Sequence, residues 1–220
     1  MNEVAISFAG QTLKALGSGA LWWPDQQLLC VSDLHLGKSE RIARRGGPSL
    51  PPYDSQETLN RLAVDIARTN PATVICLGDS FDDLKASAAM QAEEQRDITA
   101  LQAGRRWIWI EGNHDPGPID LGGTHLSECK IAPLTFRHIA QAPAQAEVSG
   151  HYHPKARLNA RGRTITRPAF LVDKTRLILP AYGTYTGGLR STDHTLDALM
   201  DGQAIAILTG SHPRVIPMPR

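Results

Sequence analysis

An α/β fold carried by a single domain, residues 1–220, is the class this sequence predicts, and two observations carry the prediction. Short apolar runs rich in β-branched or aromatic residues alternate with stretches of helical periodicity. The middle three of those runs each end at a short word of metal-ligand residue types, and the carboxyl ends of strands are where open α/β sheets collect ligands. The composition agrees: 220 residues, 41% hydrophobic and 20% charged, give enough apolar material for a core and an ordinary polar surface.

In chain order, residues 4–8, 28–32, 73–77, 107–110 and 204–208 read as strands. Leu59, Leu62, Ala63 and Ile66 recur at helical spacing after Ser55, a candidate N-cap. A second helix is expected over residues 84–102, a stretch of good helix formers stopped by Gly104. The β-type residues of 170–180 flank an Asp173-Lys174 turn and favour a hairpin. Proline and glycine punctuate Gly46-Gly47-Pro48-Ser49-Leu50-Pro51-Pro52, which reads as a helix-free loop. No repeat or composition break argues for a second domain.

Several classes are disfavoured. No apolar run approaches the roughly 20 residues of a membrane-spanning helix. The N-terminus lacks a basic region followed by an apolar stretch, so a cytoplasmic protein without a membrane partner is expected. The three cysteines, Cys30, Cys76 and Cys129, have no CxxC spacing and read as reduced core residues. Net charge is only +1, yet the cations are clustered. Lys38, Arg41, Arg44 and Arg45 follow the first ligand word, and Arg157, Arg161, Arg163 and Arg167 follow the last. Such runs are commonly solvated surface, and their position beside the ligand words is what singles them out.

Four words carry the chemistry: Asp33-Leu34-His35, Gly78-Asp79, Gly112-Asn113-His114-Asp115 and Gly150-His151-Tyr152-His153. Carboxylate oxygens and imidazole nitrogens from separated parts of a chain are the donors a pair of divalent ions needs for phosphoester hydrolysis. On a strand, Asp33 and His35 would share one face and grip one ion, and His151 and His153 repeat that spacing with Tyr152 facing away. Asp79 could bridge two ions, although alone it reads equally as a turn aspartate. Asn113 offers an amide oxygen. His114 is a proton carrier, and Asp115 beside it is a carboxylate that could orient its ring.

The set Asp-x-His, Gly-Asp, Gly-Asn-His-Asp and Gly-His-x-His resembles the calcineurin-like metallophosphoesterase superfamily. Within it, Ser32-Asp33-Leu34-His35-Leu36-Gly37-Lys38, Gly78-Asp79-Ser80-Phe81, Phe136-Arg137-His138, Gly150-His151-Tyr152-His153-Pro154, Leu179-Pro180-Ala181-Tyr182-Gly183 and Thr186-Gly187-Gly188 look like the ligase-associated DNA damage response endonuclease family. The resemblance implies an α/β/β/α sandwich of two mixed sheets flanked by helices. It also implies that Asp33, His35 and His153 hold one ion and Asn113, His138 and His151 the other, with Asp79 bridging. His138 has no spacing signal of its own, and His125 is its nearest competitor. The chain departs from the closer family at Asp82-Asp83, where His-Asp is expected, which leaves the role of Asp82 open.

The expected reaction is attack of a hydroxide, generated between ions roughly 3.5–4 Å apart, in line with a leaving oxygen that His114 protonates. Mn²⁺ suits the mixed donors, with Fe or Zn as alternatives. DNA is the expected substrate, in endonucleolytic or 3′-end processing during repair, with Lys38, Arg41, Arg44 and Arg45 tracking phosphates. A repair ligase is a partner only by the resemblance. Trp22, Trp23, Trp107 and Trp109 lie in strand-like segments and read as packing, so no base-stacking ladder for sequence readout is expected. A phosphoesterase acting on nucleotides or phosphomonoesters is the alternative, and a non-catalytic scaffold is disfavoured by the complete ligand set.

Overall fold

A computed structural model of the chain describes residues 2–48, 50–88, 90–117, 120–160 and 162–220. Ser49 of the proline-glycine loop, Ala89 of the second helical stretch and Arg161 of the second basic cluster lie outside the described residues.

The first sheet contains β1 (Glu3–Phe8), β2 (Gln11–Leu16), β3 (Leu21–Trp23), β4 (Leu28–Val31), β5 (Thr73–Leu77), β6 (Arg106–Ile110) and β7 (Thr124–Leu126), in that spatial order. Its first four strands pair antiparallel and β4 to β7 run parallel. The second sheet contains β8 (Glu128–Ile131), β9 (Leu134–Arg137), β10 (Glu147–Ser149), β12 (Arg163–Val172), β13 (Arg176–Ile178), β14 (Ile205–Leu208) and β15 (Arg214–Pro217), in the order β15-β14-β12-β13-β10-β9-β8. It too is mixed, with β9, β10 and β13 parallel. Strand β11 (Lys155–Ala160) pairs only with the outer part of β12, so the two form an arm beyond the sheet. Helices are α1 (Lys38–Arg44), α2 (Asp54–Thr69), α3 (Leu84–Ala88), α4 (Ala92–Gln102) and α5 (His194–Leu199).

Pleat alternation explains the layers. On β5, Ile75 and Leu77 face the second sheet and pack with Phe136, Phe170 and Leu179, whereas Val74 and Cys76 face Leu59, Leu62 and Ile66 of α2. The outer face of the second sheet is covered by Leu196 and Met200 around α5. This is the expected α/β/β/α sandwich of two mixed sheets. Strands buried on both faces read as continuous apolar runs, which is why β4, β5 and β6 were visible in the sequence. The three cysteines are free and buried, as read.

Three local expectations need correction. Helix α2 begins at Asp54, so Ser55 lies inside it, and its hydroxyl instead accepts a hydrogen bond from the Gly37 N–H at 2.8 Å. The stretch 84–102 forms two helices, because Gln91 is extended (φ −62°, ψ 144°) and its N–H donates to the Glu94 carboxylate, which starts α4 afresh. Strand β4 ends at Val31, so Asp33 and His35 stand beyond it, in loop backbone.

Candidate metal centre

The ligand words follow the carboxyl ends of β4, β5, β6 and β10, and His138 follows β9, so all five loops open on one edge of the sandwich. Asp33, His35, Asp79, His151 and His153 all have left-handed backbone, with φ between 45° and 72°. Such conformations cost side-chain-bearing residues free energy and persist where surrounding structure holds them. They replace the strand pleat as the reason that alternate residues converge.

Two groups result. Asp33, His35 and His153 form one, with Asp33 Oδ1 3.2 Å from His153 Nε2 and His35 Nε2 3.4 Å from the same nitrogen. Asp79, His138 and His151 form the other, with His138 Nε2 3.3 Å from Asp79 Oδ2 and 3.2 Å from His151 Nδ1. The amide oxygen of Asn113 joins it, 3.0 Å from His138 Nε2. The structure thus brings His138 together with Asp79 and His151, while His125 stacks on Trp109.

The donor chemistry fits cations. His138 Nδ1 lies 3.0 Å from the Leu77 carbonyl and must donate to it, which leaves Nε2 of the neutral ring as a bare lone pair. That lone pair meets a carboxylate oxygen, an amide oxygen and an imidazole nitrogen. Acceptors facing acceptors need a positive charge among them. Without a metal the charge is a proton: burial disfavours the imidazolium, but the Asp79 hydrogen bond and the Asp33 and Asp79 charges outweigh it and raise His138 to about 9. Asp79 is held at about 2, because His138 and the His114 N–H overcome the cost of its burial.

Asp82 is the functional residue that sequence reasoning left open. It is fully buried, and its Oδ1 lies 2.7 Å from His35 Nδ1, so that ring donates there and presents Nε2 to the site. A carboxylate behind a ligating histidine fixes its tautomer and raises its basicity. The Asp82 carbonyl lies 3.0 Å from His114 Nδ1. Asp115 does not orient His114, contrary to expectation. Its carboxylate accepts hydrogen bonds from the N–H groups of Gly112, Ser80 and Phe81, which ties the third ligand loop to the second. Burial pushes it up to about 6.

The α1 cations also differ from expectation, because carboxylates already partner them. Arg41 and Lys38 pair with Asp82, the latter at 3.6 Å. Arg44 pairs with Glu40 and Asp83, each at 2.9 Å, and Arg45 lies 3.5 Å from Asp83. They are not a run of unpartnered positive charge. Beside the second ligand group a cleft of about 310 Å³ opens, lined by Gly112, Asn113, Pro116, Arg137, His138 and Ile139.

The family model of the calcineurin-like phosphoesterases matches residues 27–200, a span that contains both groups and Asn113. The chain belongs to this family. Like other calcineurin-like phosphoesterases it is a metal-dependent hydrolase, and its fold agrees with a solved relative. The Pseudomonas putida nuclease MPE is similar over 97% of this chain and 100% of its own, at 27% sequence identity and a TM-score of 0.76. No curated protein sequence matches the chain.

Proposed function

We propose that this phosphoesterase is a dinuclear DNA phosphodiesterase, acting as a nuclease. The observation that carries the reading is the pair of facing ligand groups, Asp33-His35-His153 and Asp79-His138-His151, with His114 beside them. The full-length likeness to a nuclease supports DNA over a small phosphoester. A place in DNA repair, and a repair ligase as partner, rest on the loop wording alone.

Asp33, His35 and His153 would hold one divalent ion, and Asn113, His138 and His151 the other, with Asp79 shared between them. When bound, the two ions would activate water as nucleophile and neutralise the phosphate oxygens. Asp82 keeps His35 in the ligating tautomer. The His114 ring stands edge-on to His35, 5.2 Å between centroids, and its Nδ1 is engaged by the Asp82 carbonyl. That leaves Nε2 to carry a proton to the departing oxygen. Mn²⁺ is the ion the mixed donors favour, with Fe or Zn as alternatives.

The test is hydrolysis by the Mn²⁺-loaded protein of end-labelled single-stranded, nicked and 3′-blocked DNA, beside a panel of nucleotides and phosphomonoesters. Cleaved DNA is the expected result. Turnover of the small esters alone would instead favour the nucleotide-directed reading and leave the metal centre standing.

A further inference from the structure

The second basic cluster stands differently from the first. The stretch 155–172 contains no Asp or Glu, and β11 and β12 carry Lys155, Arg157, Arg163 and Arg167 on the arm beyond the second sheet. Lys155 and Arg157 share one face of β11, with Thr166 paired opposite Arg157. Segment 189–191 lies along the same strand: the Lys155 N–H donates to the Leu189 carbonyl and the Ser191 N–H to the Lys155 carbonyl, each at 2.8 Å. This brings Arg190 beside Lys155. Together Lys155, Arg157, Arg190, Thr166, Ser191 and Thr192 line a surface cavity of about 190 Å³, at which Arg157 and Arg190 are exposed.

Three cations and three hydroxyls meet there with no carboxylate in the lining. Among the described residues, no carboxylate forms an ion pair with any of the three cations, and the Lys155 ammonium donates only to the Thr186 carbonyl, at 3.4 Å. Like charges converging without a partner repel one another. An oxyanion relieves that repulsion, and a phosphate offers the several acceptors that two guanidiniums, an ammonium and hydroxyls can satisfy together.

The cavity adjoins the metal centre. Lys155 is two residues beyond His153, and the Leu189 N–H donates to the Tyr152 carbonyl. A Cβ on Gly188 would fall 2.0 Å from the His153 carbonyl oxygen, so this segment presses on His153 at one end and presents Arg190 at the other. The chain from His153 to Arg157 spans at most about 14 Å between Cα atoms. We propose that the Lys155–Arg157–Arg190 cavity binds a backbone phosphate of the same DNA strand whose neighbouring phosphodiester lies at the metal centre. The proposal rests on the nuclease reading above.

The test is binding without cleavage: fluorescence anisotropy of a labelled single-stranded oligonucleotide on Mn²⁺-loaded protein carrying His114→Ala, across a salt series. Adding Arg157→Ala and Arg190→Ala should weaken binding about tenfold near 0.1 M salt and reduce the slope of log Kd against log salt by about 0.7, one single-strand phosphate. Arg157→Lys with Arg190→Lys should restore most of the slope. An unchanged affinity and slope in the alanine variant would overturn the proposal. Failure of the nuclease reading looks different, because the oligonucleotide would then be neither cut by the native protein nor bound by any variant.

Discussion

Asp82 contributes to the metal centre without being assigned as one of its ligands, and its partners say how. Its carboxylate stays ionised to about pH 2: burial raises its pKa, but the His35 hydrogen bond and the charges of Lys38 and Arg41 overcome that. Its folded pKa is thus depressed, so the stability it contributes is present above about pH 4 and is lost as pH falls through about 2. Asp82→Ala should reduce metal affinity about 10- to 100-fold by freeing the His35 ring, and a metal titration checks this. His138 titrates in the opposite sense. In the metal-free protein its pKa is raised to about 9, so its contribution to stability is complete below about pH 6.5 and lost as pH rises through 9. A divalent ion must displace that proton, so affinity should climb up to tenfold per unit as pH rises towards 9 and then level off. A pH-independent affinity between 7 and 9 would remove His138 from the ligands. His114→Ala should keep both ions and lose about 10²- to 10⁴-fold in turnover, as expected for a lost proton donor. At this scale the residues that the structure brings together were legible where they sit in short words after strands, as Asp33, His35, Asp79, Asn113, His151 and His153 do, whereas His138 came only through the family resemblance. Sequence reading misassigned Asp115, since adjacency to His114 says nothing about where a carboxylate turns once the backbone N–H groups of Gly112, Ser80 and Phe81 are within reach.

Elements join the two halves of the centre through a few close backbone contacts. The Tyr182 N–H donates to the Ser32 carbonyl at 2.7 Å and the Gly183 N–H to the Asp33 carbonyl at 3.0 Å, so the loop after β13 grips the first ligand loop. A Cβ on Gly183 would sit 2.1 Å from the Leu34 carbonyl oxygen, a contact with backbone that cannot turn aside. Gly183→Ala should therefore cost about 3 kcal/mol of stability and weaken metal binding. Thermal melting with and without Mn²⁺ measures both, and a variant as stable as the parent would show that the loops are not locked. The same scale explains what pattern reading missed. Strands β7 and β10 have three residues each, too few to show a period, and β8 and β9 alternate polar and apolar residues over only four, whereas β13 was legible as the second arm of the hairpin around Asp173-Lys174. Helix α2, with Leu59, Leu62 and Ile66 buried on one face, was plain.

Across the whole molecule, two mixed sheets pack face to face and bring loops from separate halves of the chain to one edge. Alternating strands and helices disclosed the α/β class, whereas the division of the strands into two sheets came only through the family resemblance, because the pairings that join β9, β10 and β13, and β12 with β14, link segments apart in sequence. The charge distribution was legible as two clusters but not as partners. Glu40, Asp82 and Asp83 neutralise the cluster near α1, while among the described residues no carboxylate pairs with Lys155, Arg157 or Arg190 beside the β11–β12 arm. On the nuclease reading, both ligand groups must be filled for the chain to hydrolyse DNA. The most direct test is single-turnover cleavage of an end-labelled oligonucleotide by metal-free protein titrated with Mn²⁺, with bound metal counted in parallel. Little cleavage is expected at one ion per chain and full cleavage at two. Full cleavage with one ion bound, or none, would contradict that reading.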